Sequence, residues 1–215
     1  MTNRAARFVF LTLCILLLAG CDNKASNEID FGTVKNSVYQ NDYFGLILPV
    51  PSDWSVQDQK MRQKIAETGS KMVAGDDKNI KAVMKASELQ SVNLLAVFKH
   101  PIGTPVPFNP SIASVAERVR DIPGITRGKD YHYHARKLME SSQTKFEFPK
   151  EVSTEKLGGI EFDVMHVVMR IGTTVVHQKY YASIMKGYAL LFVMSFNTPD
   201  EESTLQKILA GVTFK

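Results

Sequence analysis

Residues 186–214 read KGYALLFVMSFNTPDEESTLQKILAGVTF, and this stretch predicts a strand, a helix and a second strand in succession. The largely apolar run 188–196 follows a Lys-Gly turn and predicts a buried strand. Pro199 and the acidic residues after it are typical of a helix N-terminus, and Gly211 is a typical helix end. The last residues, "VTFK", predict a short return strand.

Alternating apolar residues continue upstream of this stretch. The segments "TKFEFPKEV" (144–152), "GIEFDVMHVVMRI" (159–171) and "TVVHQKYYASIM" (174–185) each alternate with the period of a strand. Gly-Gly at 158–159 and Gly-Thr at 172–173 predict the turns that join them, as Lys-Gly does at 186–187. The sequence therefore predicts a meander of four antiparallel strands followed by a helix.

The part of the chain before the meander mixes short strands with helices. Apolar spacing and turn signals predict strands at 34–39, 44–50 and 92–98, and helices at 58–74, around 80–84, at 111–119 and at 129–141. Four prolines within residues 100–110 predict an ordered loop. Strands, then helices, then a meander and a closing helix predict one α+β domain over 34–215.

Two segments resemble a known family. One is the N-terminal "Y…FGLILPVPSDWSV", an aromatic strand that runs into prolines and Trp54, and the other is the stretch 186–214. Together they resemble the PsbP-like α/β/α sandwich, a fold shared by the photosystem II protein PsbP and bacterial lipoproteins of the DcrB and LpqN type. The resemblance covers about residues 36–215 and implies a mainly antiparallel sheet between helical layers. It also implies an accessory or binding role at a membrane, with no common active-site residues.

The first twenty residues have the layout of a lipoprotein signal peptide. A short positive segment with Arg4 and Arg7 precedes the apolar run "FVFLTLCILLL", and small residues lead into Cys21. The run is too short for a comfortable membrane span, which takes about 20 residues. "LLAGC" resembles a bacterial lipobox, which implies cleavage after residue 20 and a lipid anchor on Cys21. Several acyl chains on one cysteine hold a protein on a membrane durably.

The residues after Cys21 indicate which membrane would hold the protein. Asp22 and Asn23 resemble the signal that keeps lipoproteins in the inner membrane, so we expect the periplasmic face of that membrane. The polar stretch to residue 33 predicts a flexible tether, which with Cys21 spans 21–33. Part of this stretch beyond Ile29 could instead pack as an extra strand.

Composition and motifs narrow the function. Hydrophobic residues make up 44% of the chain and charged residues 22%, as in globular proteins. The formal charge of +4 includes Arg4 and Arg7 of the leader, which leaves +2 for the rest, and no basic stripe predicts nucleic-acid binding. Cys14 and Cys21 are the only cysteines, so the domain at 34–215 has no thiol for catalysis or metal binding. We find no common catalytic motif and expect no enzyme and no cofactor.

Four histidines invite a comparison with metal sites. His132 and His134, two residues apart on a predicted helix, would point away from each other and act as surface or boundary residues. If residues 172–173 form a two-residue turn, His166 pairs with Lys179 and His177 with position 168, which puts His166 and His177 on one sheet face. Zinc prefers three or four ligands, and the nearest acid, Asp163, would point to the opposite face. His166 and His177 are therefore weak metal candidates, more simply read as polar sheet positions.

The proline-rich loop 100–110 is the most distinctive segment. Prolines limit the conformations of the unfolded chain, so the loop could present Val106 and Phe108 to a partner or an apolar ligand at little entropic cost. The simpler interpretation, which we favour, is that the loop crosses the sheet and buries Phe108 in the core.

Two functional hypotheses follow. The first is a lipid-anchored, non-catalytic accessory protein that docks to another protein of the cell envelope. The alternative is a module that binds a small ligand or a metal in a pocket between the sheet and one helical layer, lined by His166, His177 and the 100–110 loop.

Overall fold

The computed structural model describes residues 29–215. The predicted leader, Cys21, Asp22, Asn23 and the first part of the predicted tether lie outside these residues. In chain order, the elements are β1 (Thr33–Lys35), β2 (Val38–Asn41), β3 (Leu46–Pro49), β4 (Ser55–Val56), α1 (Gln59–Ala74), α2 (Lys78–Gln90), β5 (Ser91–Phe98), β6 (Ser111–Arg118), α3 (Gly128–Ser141), β7 (Phe146–Glu147), β8 (Ser153–Leu157), β9 (Ile160–Ile171), β10 (Thr174–Met185), β11 (Tyr188–Phe196), α4 (Pro199–Ala210) and β12 (Thr213–Phe214).

The large sheet has the strand order β4-β5-β6-β11-β10-β9, and β7 and β8 both pair with the outer edge of β9. All its pairings are antiparallel. The predicted turns at 158–159, 172–173 and 186–187 join β8, β9, β10 and β11 as expected. Only 146–147 of the segment 144–152 is a strand, and the strand before the Gly-Gly turn is β8 instead.

The helix predicted at 111–119 is wrong, because these residues form β6. Ile112, Ser114 and Ala116 are buried at alternate positions, so "SIASVAER" also fits the period of a strand. β6 pairs with β5 on one side and β11 on the other along its whole length. This pairing decides the structure, because the facing edges of β5 and β11 both find hydrogen-bond partners only when these residues form a strand between them.

The two faces of the large sheet carry different layers. Along β11, the side chains of Leu190, Phe192 and Met194 alternate with those of Ala189 and Leu191, so the two sets point to opposite faces. The first set packs in the largest core with Leu46 and Leu48 of β3 and Leu205 of α4. We call this side the core face.

The opposite side carries α1, α2 and α3, and we call it the helical face. Leu191 packs there with Ile125 and with Tyr131 of α3, while α1 and α2 contact β5. A second sheet, β1-β2-β3-β12, lies beside α4 on the core face. Helices cover both faces of an antiparallel sheet, which confirms the predicted α+β class and its layered arrangement.

The N-terminal part of the described chain is already packed. Asp30 accepts hydrogen bonds from the side chain of Asn41 and from the backbone of Tyr43, and Ile29 contacts the core. The strand expected at 34–39 is a hairpin, since Asn36 and Ser37 turn the chain with positive φ angles of 50° and 61°. Packing thus begins before residue 34, and 29–215 contains both sheets and their core.

Within 29–215, no helix has both the length and the apolar character needed to cross a bilayer.

Candidate ligand-binding cavity

The helical layer covers its sheet face incompletely. Of the residues in α1 and α2, only Ala74 and Ile80 are fully buried. Met72 and Val73 remain half-exposed, although both lie on the apolar face that predicted α1. The apolar sides of this helix pair therefore face open space.

That space is a cavity of about 1190 Å³ between the sheet and the helices α1, α2 and α3. Its helical walls include Ile65, Val73 and Met84 of the α1–α2 pair and Leu138 of α3, and its floor includes Leu191 and Val193 of β11. Small-molecule pockets usually measure about 300–1,000 Å³ and are mainly apolar with a few placed polar groups. This cavity has that character and is slightly larger than the usual range.

A short chain of polar groups crosses the floor. Tyr180 donates to the Gln178 side-chain oxygen at 2.7 Å, and the Gln178 amide donates to Ser195 Oγ at 2.8 Å. Burial raises the pKa of Tyr180, so its phenol stays neutral and continues to donate. All three residues line the cavity, and their fixed orientation offers a ligand hydrogen-bonding sites at defined places.

A second polar group lies where α2 and α3 meet the sheet. Glu117 of β6 accepts hydrogen bonds from Ser87 of α2 at 2.8 Å and from Tyr131 of α3 at 2.7 Å. Glu117 is not among the predicted site residues, because the helix predicted at 111–119 does not place it on a sheet face. Ser111, Ala113 and Glu117 are small or polar residues at alternate positions of this segment. That spacing is the signal in the sequence that favours a strand and places Glu117 on one of its faces.

The loop 100–110 is ordered, as predicted. The Asn109 side chain accepts from the backbone N–H of His100 at 2.9 Å and donates to its carbonyl oxygen at 2.8 Å, which ties the two ends of the loop together. Phe108 is half-buried and lines the cavity, whereas Val106 is half-buried outside it. Only one of the two predicted contact residues therefore reaches the cavity.

His166 and His177 do not line the cavity, contrary to our expectation. The predicted register is correct, since His166 pairs with Lys179 and His177 with Val168, but both side chains lie on the core face. His177 stacks on Phe196 with ring centroids 5.6 Å apart. Among residues 29–215, no group of three or more His, Cys, Asp and Glu side chains could hold a metal ion.

The surroundings of His166 also disfavour a cation. Lys179 is almost fully buried beside it, and its ammonium contacts Glu202 of α4 at 2.6 Å. Burial, Lys179 and Lys150 lower the pKa of His166. This part of the core face holds α4 in place.

His132 and His134 point away from each other on α3, as predicted. His134 lies exposed at the rim of the cavity. His132 is only 1% exposed, which corrects its assignment as a surface or boundary residue. Its Nε2 donates to the Asp163 carbonyl oxygen at 2.9 Å, so the ring helps to fasten α3 to β9.

Acidification is expected to destabilise the protein through His132. Burial lowers the pKa of His132, so below the unfolded-state value of about 6.5 the unfolded chain binds more protons than the folded one. The stability that His132 contributes is complete above about pH 6.5 and falls as the pH drops towards its lowered folded pKa. Urea unfolding at about pH 7.5 and about pH 5.5 measures this loss.

The variant His132→Gln is the control for that loss. Its stability should change less between the two pH values, while His166→Gln removes a smaller part because His166 is only half-buried. An equal pH dependence in wild type and His132→Gln would exclude His132 as the source.

Comparisons with known proteins identify the fold. No family model and no curated protein matches this chain. The solution structure of cyanobacterial PsbP (CyanoP) from Synechocystis sp. PCC 6803 superposes with a TM-score of 0.50 at 11% identity, covering 92% of this chain and 99% of that one. The fold is PsbP-like.

The crystal structure of LpqN, described as involved in cell envelope biogenesis of Mycobacterium tuberculosis, superposes with a TM-score of 0.41 at 14% identity. It covers 79% of this chain and 83% of that chain. At these identities the PsbP-like likeness concerns the fold, and function has to be argued from the cavity.

Proposed function

We propose that this PsbP-like protein is a non-catalytic binding protein of the cell envelope that holds an apolar or amphipathic molecule in the cavity on its helical face. The cavity is the observation that carries this proposal. A closed core would have buried Val73, Met84 and Val193, yet all three stay partly exposed around a space of about 1190 Å³. Covering that apolar surface with a ligand would stabilise the complex by about 25 cal/mol per Å².

The polar groups of the cavity support binding. The hydroxyl groups of Tyr180 and Tyr131 are engaged with Gln178 and Glu117. Such fixed side chains orient a ligand at little entropic cost. Of the two hypotheses from the sequence, the geometry favours the second, a module that binds a small ligand, with an organic molecule rather than a metal as that ligand.

Native mass spectrometry tests this function. The segment 29–215, purified from cells without detergent, should retain a bound molecule or bind an added alkyl probe at one per chain. An unloaded mass, together with no saturable binding of dodecanol or a fluorescent apolar probe, would contradict the proposal.

The loop 100–110 supports a second candidate function, docking to another envelope protein. Asn109 fixes its ends, and Ile102 at its tip is 47% exposed. A preformed loop with an exposed apolar tip loses little entropy when it binds. A photo-cross-linker at position 102 in cells should capture one reproducible partner, and random capture would contradict docking.

We also propose that a lipid on Cys21 holds the protein on the periplasmic face of the inner membrane, with Asp22 and Asn23 directing its retention there. The lipobox-like "LLAGC" supports this anchor. Labelled palmitate should enter the wild-type protein and not the Cys21→Ser variant. Equal labelling of both proteins would contradict the lipid anchor on Cys21. Recovery of the labelled protein mainly in outer membranes would contradict the sorting by Asp22 and Asn23.

A further inference from the structure

Glu117 is an unusual carboxylate for its position. It is half-buried on β6, and it lines the apolar cavity at the end where α2 and α3 approach the sheet. Ser87 and Tyr131 each donate to a different one of its two oxygens. Three elements of the fold thus converge on one acidic group.

Among residues 29–215, no cationic side chain pairs with Glu117. Seven ion pairs within 4.0 Å join residues of 29–215, and none includes Glu117. Lys85 and Lys137, the lysines that line the cavity, contact Glu88 and Glu140 instead. A carboxylate taken out of water is costly unless it is paired or fully hydrogen-bonded. The end of the cavity where α2 and α3 approach the sheet therefore presents a carboxylate that a cationic ligand can pair with.

The two hydroxyl donors leave this carboxylate with free acceptor capacity. An ionised carboxyl group has about four lone-pair sites, and Ser87 and Tyr131 occupy two of them. Burial and the Glu117 charge raise the pKa of Tyr131 well above its ordinary value, so its phenol remains a neutral donor. Glu117 is thus held in one orientation with sites left for a ligand that donates hydrogen bonds.

We propose that the ligand is a cationic amphiphile whose ammonium group binds Glu117 and whose alkyl chain lies along Leu191 and Val193. An ammonium group supplies three hydrogen-bond donors and no acceptor, which complements the free sites of the carboxylate. The floor of the cavity supplies the apolar surface that the chain covers. This inference rests on the proposed function, because it names the ligand class of the same cavity.

Three probes of one chain length test the inference with segment 29–215: dodecylamine, dodecanol and dodecanoate. Dodecylamine should bind about tenfold more tightly than dodecanol, since hydrogen bonds to a charged group are the strong ones, and dodecanoate should bind least. Glu117→Gln should abolish the preference for the amine, so that dodecylamine and dodecanol bind with similar affinity. Isothermal calorimetry gives all three affinities.

A matched variant separates ligand recognition from a general change in charge. Glu147→Gln makes the same charge change at an exposed position of β7 outside the cavity and should keep the preference for the amine. Loss of the preference in Glu147→Gln would overturn the inference, as would an unchanged preference in Glu117→Gln.

The binding data distinguish a wrong ligand class from a wrong function. If dodecanol and dodecanoate bind as well as dodecylamine, the ligand class is wrong while the cavity still binds apolar molecules. If none of the three probes binds, the proposed function itself is wrong.

Discussion

Gly128→Ala is expected to lower the free energy of unfolding by about 3 kcal/mol, because extra volume at a tight contact forces the backbone to move. A Cβ atom at position 128 would overlap the carbonyl oxygen of Ala182 and lie 3.1 Å from Cβ of Asp163. Ala182 pairs with β9 on one side and β11 on the other, so this strand cannot yield. Helix α3 would have to lift away from the sheet.

Lifting α3 would also break its hydrogen bonds to β9. The Lys129 N–H donates to the Asp163 carboxylate at 2.8 Å, and His132 donates to the Asp163 carbonyl oxygen. In a helix without such a contact, replacing glycine with alanine stabilises the protein by about 1 kcal/mol. A loss of stability in Gly128→Ala would therefore report the close contact between α3 and β10.

Gly69→Ala is the matched control for this prediction. Gly69 lies within α1, and a Cβ there would meet nothing within 4 Å. Urea unfolding should show this variant to be as stable as wild type or more stable by up to about 1 kcal/mol. If both variants are stabilised alike, α3 does not pack on β10 as described.

Val193→Trp is expected to weaken binding of dodecanol or dodecylamine by roughly fiftyfold. The indole would displace about three methylene groups of the ligand, and each buried methylene group contributes about 0.8 kcal/mol to binding. Val193 lies in the middle of β11 on the cavity floor and is half-buried. The indole ring would fill space that an alkyl chain needs. Because the cavity has room for it, the variant should keep its fold.

Val38→Trp makes the same change away from the cavity. Val38 is 37% exposed on β2 in the small sheet. Calorimetry should give this variant wild-type affinity, and circular dichroism checks that both variants fold. Equal affinities of Val193→Trp and wild type would place the ligand elsewhere.

The C-terminal third of the fold was predictable because its signals are local. The alternation through β9, β10 and β11, their glycine turns and the Pro199 helix start depend on residues near in sequence. The register of His166 against Lys179 followed from turn length alone. By contrast, "SIASVAER" fits two periods, and only its pairing with β5 and β11 decides between them.

The cavity was less predictable than the elements that surround it. The spacing of Ile65, Met72 and Val73 shows which side of α1 is apolar, but periodicity does not show how much of that side a neighbour covers. The same limit applies to the faces of the sheet. His166 and His177 were placed together correctly, yet which face α1, α2 and α3 cover depends on contacts distant in sequence.

The most direct test of the proposed cavity is a measurement of which residues a bound alkyl chain contacts. A diazirine-bearing alkyl amine, irradiated with segment 29–215 and mapped by mass spectrometry, should label α1, α2 and β11 in a saturable reaction that excess dodecylamine suppresses. Labelling confined to the core face around α4, or spread over the surface without saturation, would contradict a ligand-binding cavity on the helical face.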